Sequence, residues 1–178
     1  MSNNIRLGPD AEANQIIRMM SAEQPTGAIP CEEPITLGVR FSYDANAAFQ
    51  GHLRADENAV LSFKVDQIEG SGWFALHISL GGIDLSPYAV IGFVCKSEAP
   101  SAVAFKACIR SGSEAGFSDC FFDKHVVAYG EASTHLDVID IAQTPALPTQ
   151  ADWRDFVLFF PPDKPIEIIL RDLRFFIV

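Results

Sequence analysis

From Ile35 onward apolar residues fall at every second position. Ile35, Leu37, Val39, Phe41 and Tyr43 alternate with Thr36, Gly38, Arg40 and Ser42, and Leu61, Phe63 and Val65 alternate with Ser62, Lys64 and Asp66. Phe74, Leu76, Ile78 and Leu80 alternate with Trp73, Ala75, His77 and Ser79, and Val103, Phe105, Ala107 and Ile109 with Ala104, Lys106, Cys108 and Arg110. This is the pattern of strands with one face in a core and the other facing solvent, as in antiparallel sheets. Further strands are predicted at Ala47–Arg54, Tyr88–Lys96, Gly116–Phe122, Val126–Tyr129, Thr134–Ile141, Trp153–Phe160 and Ile166–Val178. Turn signals separate them at Glu69–Gly72, Gly81-Gly82, Ser111–Ser113 and Pro161–Asp163, and Gln143–Asp152 reads as a long loop. About ten short strands without intervening helices point to an all-β, two-sheet antiparallel jelly-roll sandwich.

The last run carries a phase slip. Ile166, Ile168 and Leu170 share one face, while Leu173, Phe175 and Ile177 continue the apolar set one position out of step. A bulge at Arg171-Asp172 restores the phase within one long strand. The N-terminal segment differs from the rest. Ala11–Ala22 predicts a short helix with Ile16, Ile17 and Met20 as its apolar side and Pro9 and Asp10 at its start. Pro25, Gly27, Pro30 and Pro34 then mark a crossing, so residues 1–34 form a helical segment and crossing and residues 35–178 the sandwich, a single domain overall.

Composition narrows the function classes. The 178-residue chain has a formal net charge of -10, which disfavours a nucleic acid or an anionic membrane surface as partner. No apolar run approaches the length of a membrane helix. Residues Met1–Met20 lack a basic start followed by an apolar stretch, so a cytoplasmic location is expected. Cys31, Cys95, Cys108 and Cys120 match no zinc or CxxC spacing, and Cys95, in phase with Ile91 and Phe93, reads as a buried free thiol.

Catalytic motifs are not found. His52, His77, His125 and His135 form no HxH or HExxH pair, and there is no nucleophile elbow, phosphate loop or dinucleotide fingerprint. Asp137 and Asp140 are an odd step apart and so face opposite sides of their strand, unlike the paired acids of a glycosidase. The polar positions are more informative. Trp73, His77, Lys106 and Arg110 fall on the side of their strands opposite the core, with Gln50, His52 and Arg54 outward on another. A flat ring beside hydrogen-bonding side chains suits a sugar, and the two cations suit a carboxylate. The competing reading makes Trp73 a lid at the core's edge and pairs the cations with nearby acids. Trp153 opens an apolar strand and reads as core.

The segments Trp73–Ile78 and Asp84–Phe93, the strand ending Ile109-Arg110-Ser111, the Trp153-led strand and the closing Ile169–Phe175 together resemble, in order, the carbohydrate-binding modules of the galactose-binding-like jelly-roll superfamily. The resemblance spans roughly Gly72 to Val178. It implies the sandwich fold and a non-catalytic module for a carbohydrate or glycoconjugate, with Trp73, His77, Lys106 and Arg110 on the binding face. No cofactor is expected, although members of the superfamily often hold a structural calcium. Asp172 matches the family's terminal acidic position, Arg171 stands where a second acid is common, and Glu32 or Glu33 would supply the other side. Calcium needs about six to eight oxygens, so an ion pair or turn role for Asp172 competes. Such modules usually accompany secreted enzymes, so a cytoplasmic one implies glycan assembly or a fold reused for protein contacts. Two alternatives stand beside this reading. One is an assembly subunit, a homodimer using the side of Tyr88–Lys96 that carries Val90 and Val94; the other is a jelly-roll hydrolase or lyase with an acid pair or activated tyrosine in a cleft.

Overall fold

The computed structural model describes residues 8–178. The elements are α1 (Ala11–Glu23), β1 (Gly27–Ala28), β2 (Pro34–Thr36), β3 (Val39–Tyr43), β4 (Ala48–Arg54), β5 (Leu61–Glu69), β6 (Phe74–Gly81), β7 (Val90–Glu98), β8 (Val103–Ser113), β9 (Gly116–Ala128), β10 (Ser133–Asp140), β11 (Trp153–Phe160) and β12 (Ile166–Ile177). They make two six-stranded antiparallel sheets, sheet A in the order β1-β4-β5-β12-β7-β10 and sheet B in the order β2-β3-β6-β11-β8-β9. The inner faces meet as a jelly-roll sandwich. Its core is two linked groups of rings, one around Phe41, Phe63, Phe74 and Phe160 and the other around Phe93, Phe122, Phe156 and Phe175.

The slip in β12 is a bulge, as the phase of its apolar residues demands. Leu170 pairs with Ser97 and Asp172 with Lys96, leaving Arg171 as the extra residue. Ile168 and Leu170 before it, and Leu173 and Phe175 after it, all face the core. The pairing of β12 with β5 also stops at the bulge, where β5 begins, and Arg171 there holds Asp56 at 2.8 Å and Glu98 at 3.0 Å.

Beyond the bulge β12 pairs only with β7, and α1 lies along its other edge. The Asn14 side chain donates to the Phe175 carbonyl (2.9 Å) and accepts from its N–H (3.0 Å), doing what a neighbouring strand would do. Ala13, Ile16, Ile17 and Met20 are buried in the same core as the strands. The helix ends at Gln24, left-handed at φ 47°, whose side chain bonds Ser21, Asp56 and Ala59. The helix thus packs into the core of the sandwich and β1 pairs at the edge of sheet A; the residues before Gly8 lie outside the described part.

Three predicted strands are drawn differently. Ile35–Tyr43 is a tight hairpin of β2 and β3, because Gly38 turns the chain at φ +74° and leaves Leu37 70% exposed. Alternation persists through such a turn and hides it. Gly116–Phe122 and Val126–Tyr129 are one strand, β9, in which Phe122–Lys124 stand opposite Ala107. The Lys124 N–H in that bulge donates to buried Asp137 of β10 (3.0 Å), whose other oxygen accepts the Val138 N–H (3.0 Å). Asp140 is exposed, so the two acids do face opposite ways. All four cysteines are free; Cys95, Cys108 and Cys120 are buried, and burial pushes the Cys95 thiol up to about 12.

Candidate functional site

Residues directly opposite in an antiparallel pair project to the same side. The registers of sheet B therefore define its outer face as rows crossing five strands. One row runs Arg40, His77, Val157, Cys108, Phe121; the next toward one end runs Ser42, Ala75, Phe159, Lys106, His125. Toward the other end come Asp155, Arg110 and Asp119, then Trp153, Gly112 and Phe117.

At one end of this face a cavity of about 480 Å³ opens beside Trp73, lined also by Lys106, Phe121, His125, Phe159 and Pro162. Trp73 sits just before β6, where the Gly70–Gly72 turn leaves the sheet, with Gly70 at φ +80°. The Ser71 hydroxyl accepts from the Asp44 N–H (3.0 Å) and donates to the Trp73 carbonyl, fixing the turn. Phe121 and Phe159 pack together, ring centroids 5.7 Å apart, to make the floor. Trp73 remains 40% exposed.

At the other end the Trp153 ring lies flat on Gly112, where an added Cβ would come within 2.0 Å of a ring atom. Trp153 is 38% exposed and is not core. Its outward phase follows from the strand it opens, since Arg154, Phe156, Leu158 and Phe160 take the inward positions. Phe117 stands beside it, and the Arg110 guanidinium lies 4.2 Å from the Phe117 ring centroid while gripping Asp119 through two hydrogen bonds of 2.7 and 2.8 Å. From Lys106 to Gly112 along β8 the face is ~20 Å long, at about 3.3 Å per residue.

The middle is a closed polar network. His77 is 2% exposed; its Nε2 is 2.9 Å from Ser42 Oγ and its Nδ1 3.2 Å from Asp155, which also takes Arg40 at 2.9 Å. Alternation puts His77 on the outer face, but side chains from both neighbouring strands enclose it and leave it almost no exposed surface. Ser42, His77 and Asp155 have the connectivity of a serine-hydrolase relay. They lack its access: Ser42 is 4% exposed and lines none of the larger cavities among the described residues.

Burial alone would push the Asp155 carboxyl up, but the hydrogen bond from His77 and the charge of Arg40 outweigh it and hold it below the usual carboxylate range. A depressed carboxylate adds stability above its unfolded pKa of about 3.9 and loses it as pH falls through the lower folded value. The urea midpoint of Asp155→Asn is therefore expected to lie below wild type at pH 7 and to converge on it below about pH 4; parallel pH profiles would show that the network contributes no proton linkage.

Another cavity, about 840 Å³, lies away from this face, between α1 and the free half of β12, and is lined by Asn14, Arg18, Lys96 and Arg171 among others. The outer face of sheet A carries exposed Leu136 and Val138 beside half-buried Val94 and Phe176.

No protein-family model matches the chain, and no curated protein matches it in sequence. Solved structures do. A family 11 carbohydrate-binding module from Clostridium thermocellum, in complex with a β-1,3-1,4-mixed-linked tetrasaccharide, aligns at a TM-score of 0.53 with 12% identity, over 84% of this chain and 94% of that one. The N-terminal cellulose-binding domain of a Cellulomonas fimi β-1,4-glucanase aligns at 0.53 with 12% identity, covering 82% and 91%. A family 22 xylan-binding domain from Paenibacillus barcinonensis aligns at 0.51 with 8% identity, covering 87% and 97%. The chain has the jelly-roll fold of the carbohydrate-binding modules.

On this module fold the residues named for a structural calcium do not come together. Asp172 is held by Arg174 (3.0 Å) in sheet A and is paired in register with Lys96. Glu32 is held by Arg40 (3.3 Å) at the edge of sheet B, and Glu33 is exposed. Among the described residues no group of three or more His, Cys, Asp or Glu side chains is arranged to hold a metal ion. Asp172 and Glu32 are thus each engaged in an ion pair, on different sheets.

Of the four residues named for the module's binding face, Trp73 and Lys106 line one cavity, Arg110 is engaged with Asp119 and Phe117, and His77 is enclosed. Phe117, Phe121, Phe159, His125 and Trp153 join them, none of which the sequence pattern marks as binding residues. A signal for two of these is present in it. Adjacent aromatics on a strand must face opposite sides, so each of the pairs Phe121-Phe122 and Phe159-Phe160 puts one ring on the outer face.

Proposed function

We propose that the protein is a non-catalytic carbohydrate-binding module that lays a glycan along the outer face of sheet B, between Trp73 and Trp153. The observation that carries this is the face itself: two half-exposed tryptophans at its ends, phenylalanines between them, and polar side chains fixed in place by one another. Flat apolar rings stack on sugar faces while held polar groups set orientation, and a ligand meeting prearranged side chains loses little to their ordering. The fold supports the reading, because the similar structures are of modules that bind oligosaccharides. Self-association through Leu136 and Val138 on the opposite sheet is a second reading, and it leaves this face free.

Glycan-array screening followed by calorimetry tests the proposal. Trp73→Ala and Trp153→Ala are each expected to weaken binding about threefold to tenfold, the worth of one aromatic stacking contact, with unchanged circular dichroism. Full affinity in both variants would remove the ligand from this face, and no binding to any glycan would end the reading.

A further inference from the structure

The cavity beside Trp73 has a chemical bias. Its lining includes Lys106 and His125 and no aspartate or glutamate. The two residues are directly opposite each other across β8 and β9, so their side chains leave the same face from backbones about 5 Å apart. Among the described residues Lys106 has no carboxylate within ion-pair distance; its ammonium lies 5.9 Å from the centroid of the Phe121 ring. Arg18, Lys96 and Lys164 also lack such a partner, but of the outward cations in the rows crossing sheet B, Arg40 and Arg110 hold carboxylates and Lys106 does not. Arg40, Arg54, Lys64, Arg110, Arg171 and Arg174 each hold a carboxylate.

The rest of the face is different. Arg110 is neutralised by Asp119, and Arg40 by Asp155 and Glu32. Among the described residues no free cation stands beside Trp153 and Phe117. A second or third negative charge along the ligand would meet Asp119 and Asp155 with no basic group left to receive it, on a protein of net charge -10.

Resting on the binding-module reading, we propose that the ligand is a glycan with isolated carboxylates, a hexuronate residue set among neutral sugars. Its acidic residue enters the Trp73 cavity, the ring against Trp73 and the carboxylate between Lys106 and His125. The neutral sugars run on toward Trp153. This excludes two simpler classes, the wholly neutral glycan and the polyuronate charged at every residue.

The test uses calorimetry with matched oligosaccharides on xylan, glucan and galactan backbones. Each singly uronate-substituted compound is paired with its carboxyl-reduced counterpart, and an oligogalacturonate is the uniformly charged probe. The acidic member of at least one pair is expected to bind about tenfold tighter than its reduced form, as for one charge-assisted hydrogen-bonded contact. Lys106→Gln should erase that preference, Lys106→Arg should retain it, and added salt should reduce it. Equal affinity within every pair, with Trp73→Ala still weakening both members, overturns the carboxylate inference and leaves the module reading standing. An oligogalacturonate that binds best also overturns it. No binding to any probe overturns both.

Discussion

Arg154→Met is expected to destabilise the protein by about 2–4 kcal/mol, seen as a lower urea midpoint with an unchanged slope. Arg154 is fully buried, at 0% exposure, and it points into the sandwich from the strand that Trp153 opens. Its guanidinium donates to the Ile83 carbonyl (3.0 Å), the Pro148 carbonyl (2.7 Å) and the Ser111 hydroxyl. These acceptors lie on the loop after β6, on the long loop between β10 and β11, and on β8. Methionine fills much of the same space and leaves three acceptors without a donor; the buried Ser111 hydroxyl costs on the order of 1–3 kcal/mol, and the part-buried carbonyls of Ile83 and Pro148 add less. Relief of the buried charge offsets part of that; burial depresses the arginine's own pKa, with Asp84 opposing. Arg154→Lys should recover little, because one ammonium cannot reach three acceptors set in a fork. A methionine variant as stable as wild type would show that water replaces the guanidinium at all three.

Phe74→Ala is expected to cost about 3–5 kcal/mol, the range for truncating a buried aromatic, while its neighbour Trp73→Ala changes stability by less than about 1 kcal/mol. Phe74 is 0% exposed and its ring centroid lies 5.5 Å from those of Phe41 and Phe49, 5.7 Å from Phe160 and 5.9 Å from Phe63. Trp73, one residue earlier, stands outside against the cavity. Thermal unfolding of the two variants, set beside their glycan affinities, should separate the faces of one strand. Equal stability losses would mean that Trp73 is part of the core's closure and that the cavity is incidental.

These neighbours show how far sequence reasoning reaches. Alternation assigns a side to every residue of a regular strand, and for β5, β6 and β8 it assigns the core correctly. It locates the bulge in β12, because a strand that keeps its apolar side inward across a phase slip must hold an extra residue there. It misses the hairpin at Gly38, since a turn that preserves the alternation leaves no mark in it. It splits β9 at the bulge that Lys124 and Asp137 stabilise, a contact between two different strands.

The binding face was legible only in fragments. Trp73 and Lys106 could be placed on outward positions, but their meeting in one cavity requires β11 to lie between β6 and β8 and bring Phe159 with it. The same intervening strand brings Asp155 to His77 and removes that histidine from the surface. Trp153 reads as core because it opens an apolar strand; Gly112 across from it, lacking a side chain, lets the ring lie outside.

By itself the sequence determined the class of fold, the side on which each regular strand residue stands, the β12 bulge and the absence of a recognisable catalytic motif. The first three are consequences of local backbone geometry, in which side chains must alternate and an extra residue must shift the phase. Strand order, the enclosure of His77, the pairing of Arg110 with Asp119 and the freedom of Lys106 were decided by the tertiary structure. Each depends on which distant residue becomes a lateral neighbour, and a period of two contains no information about that.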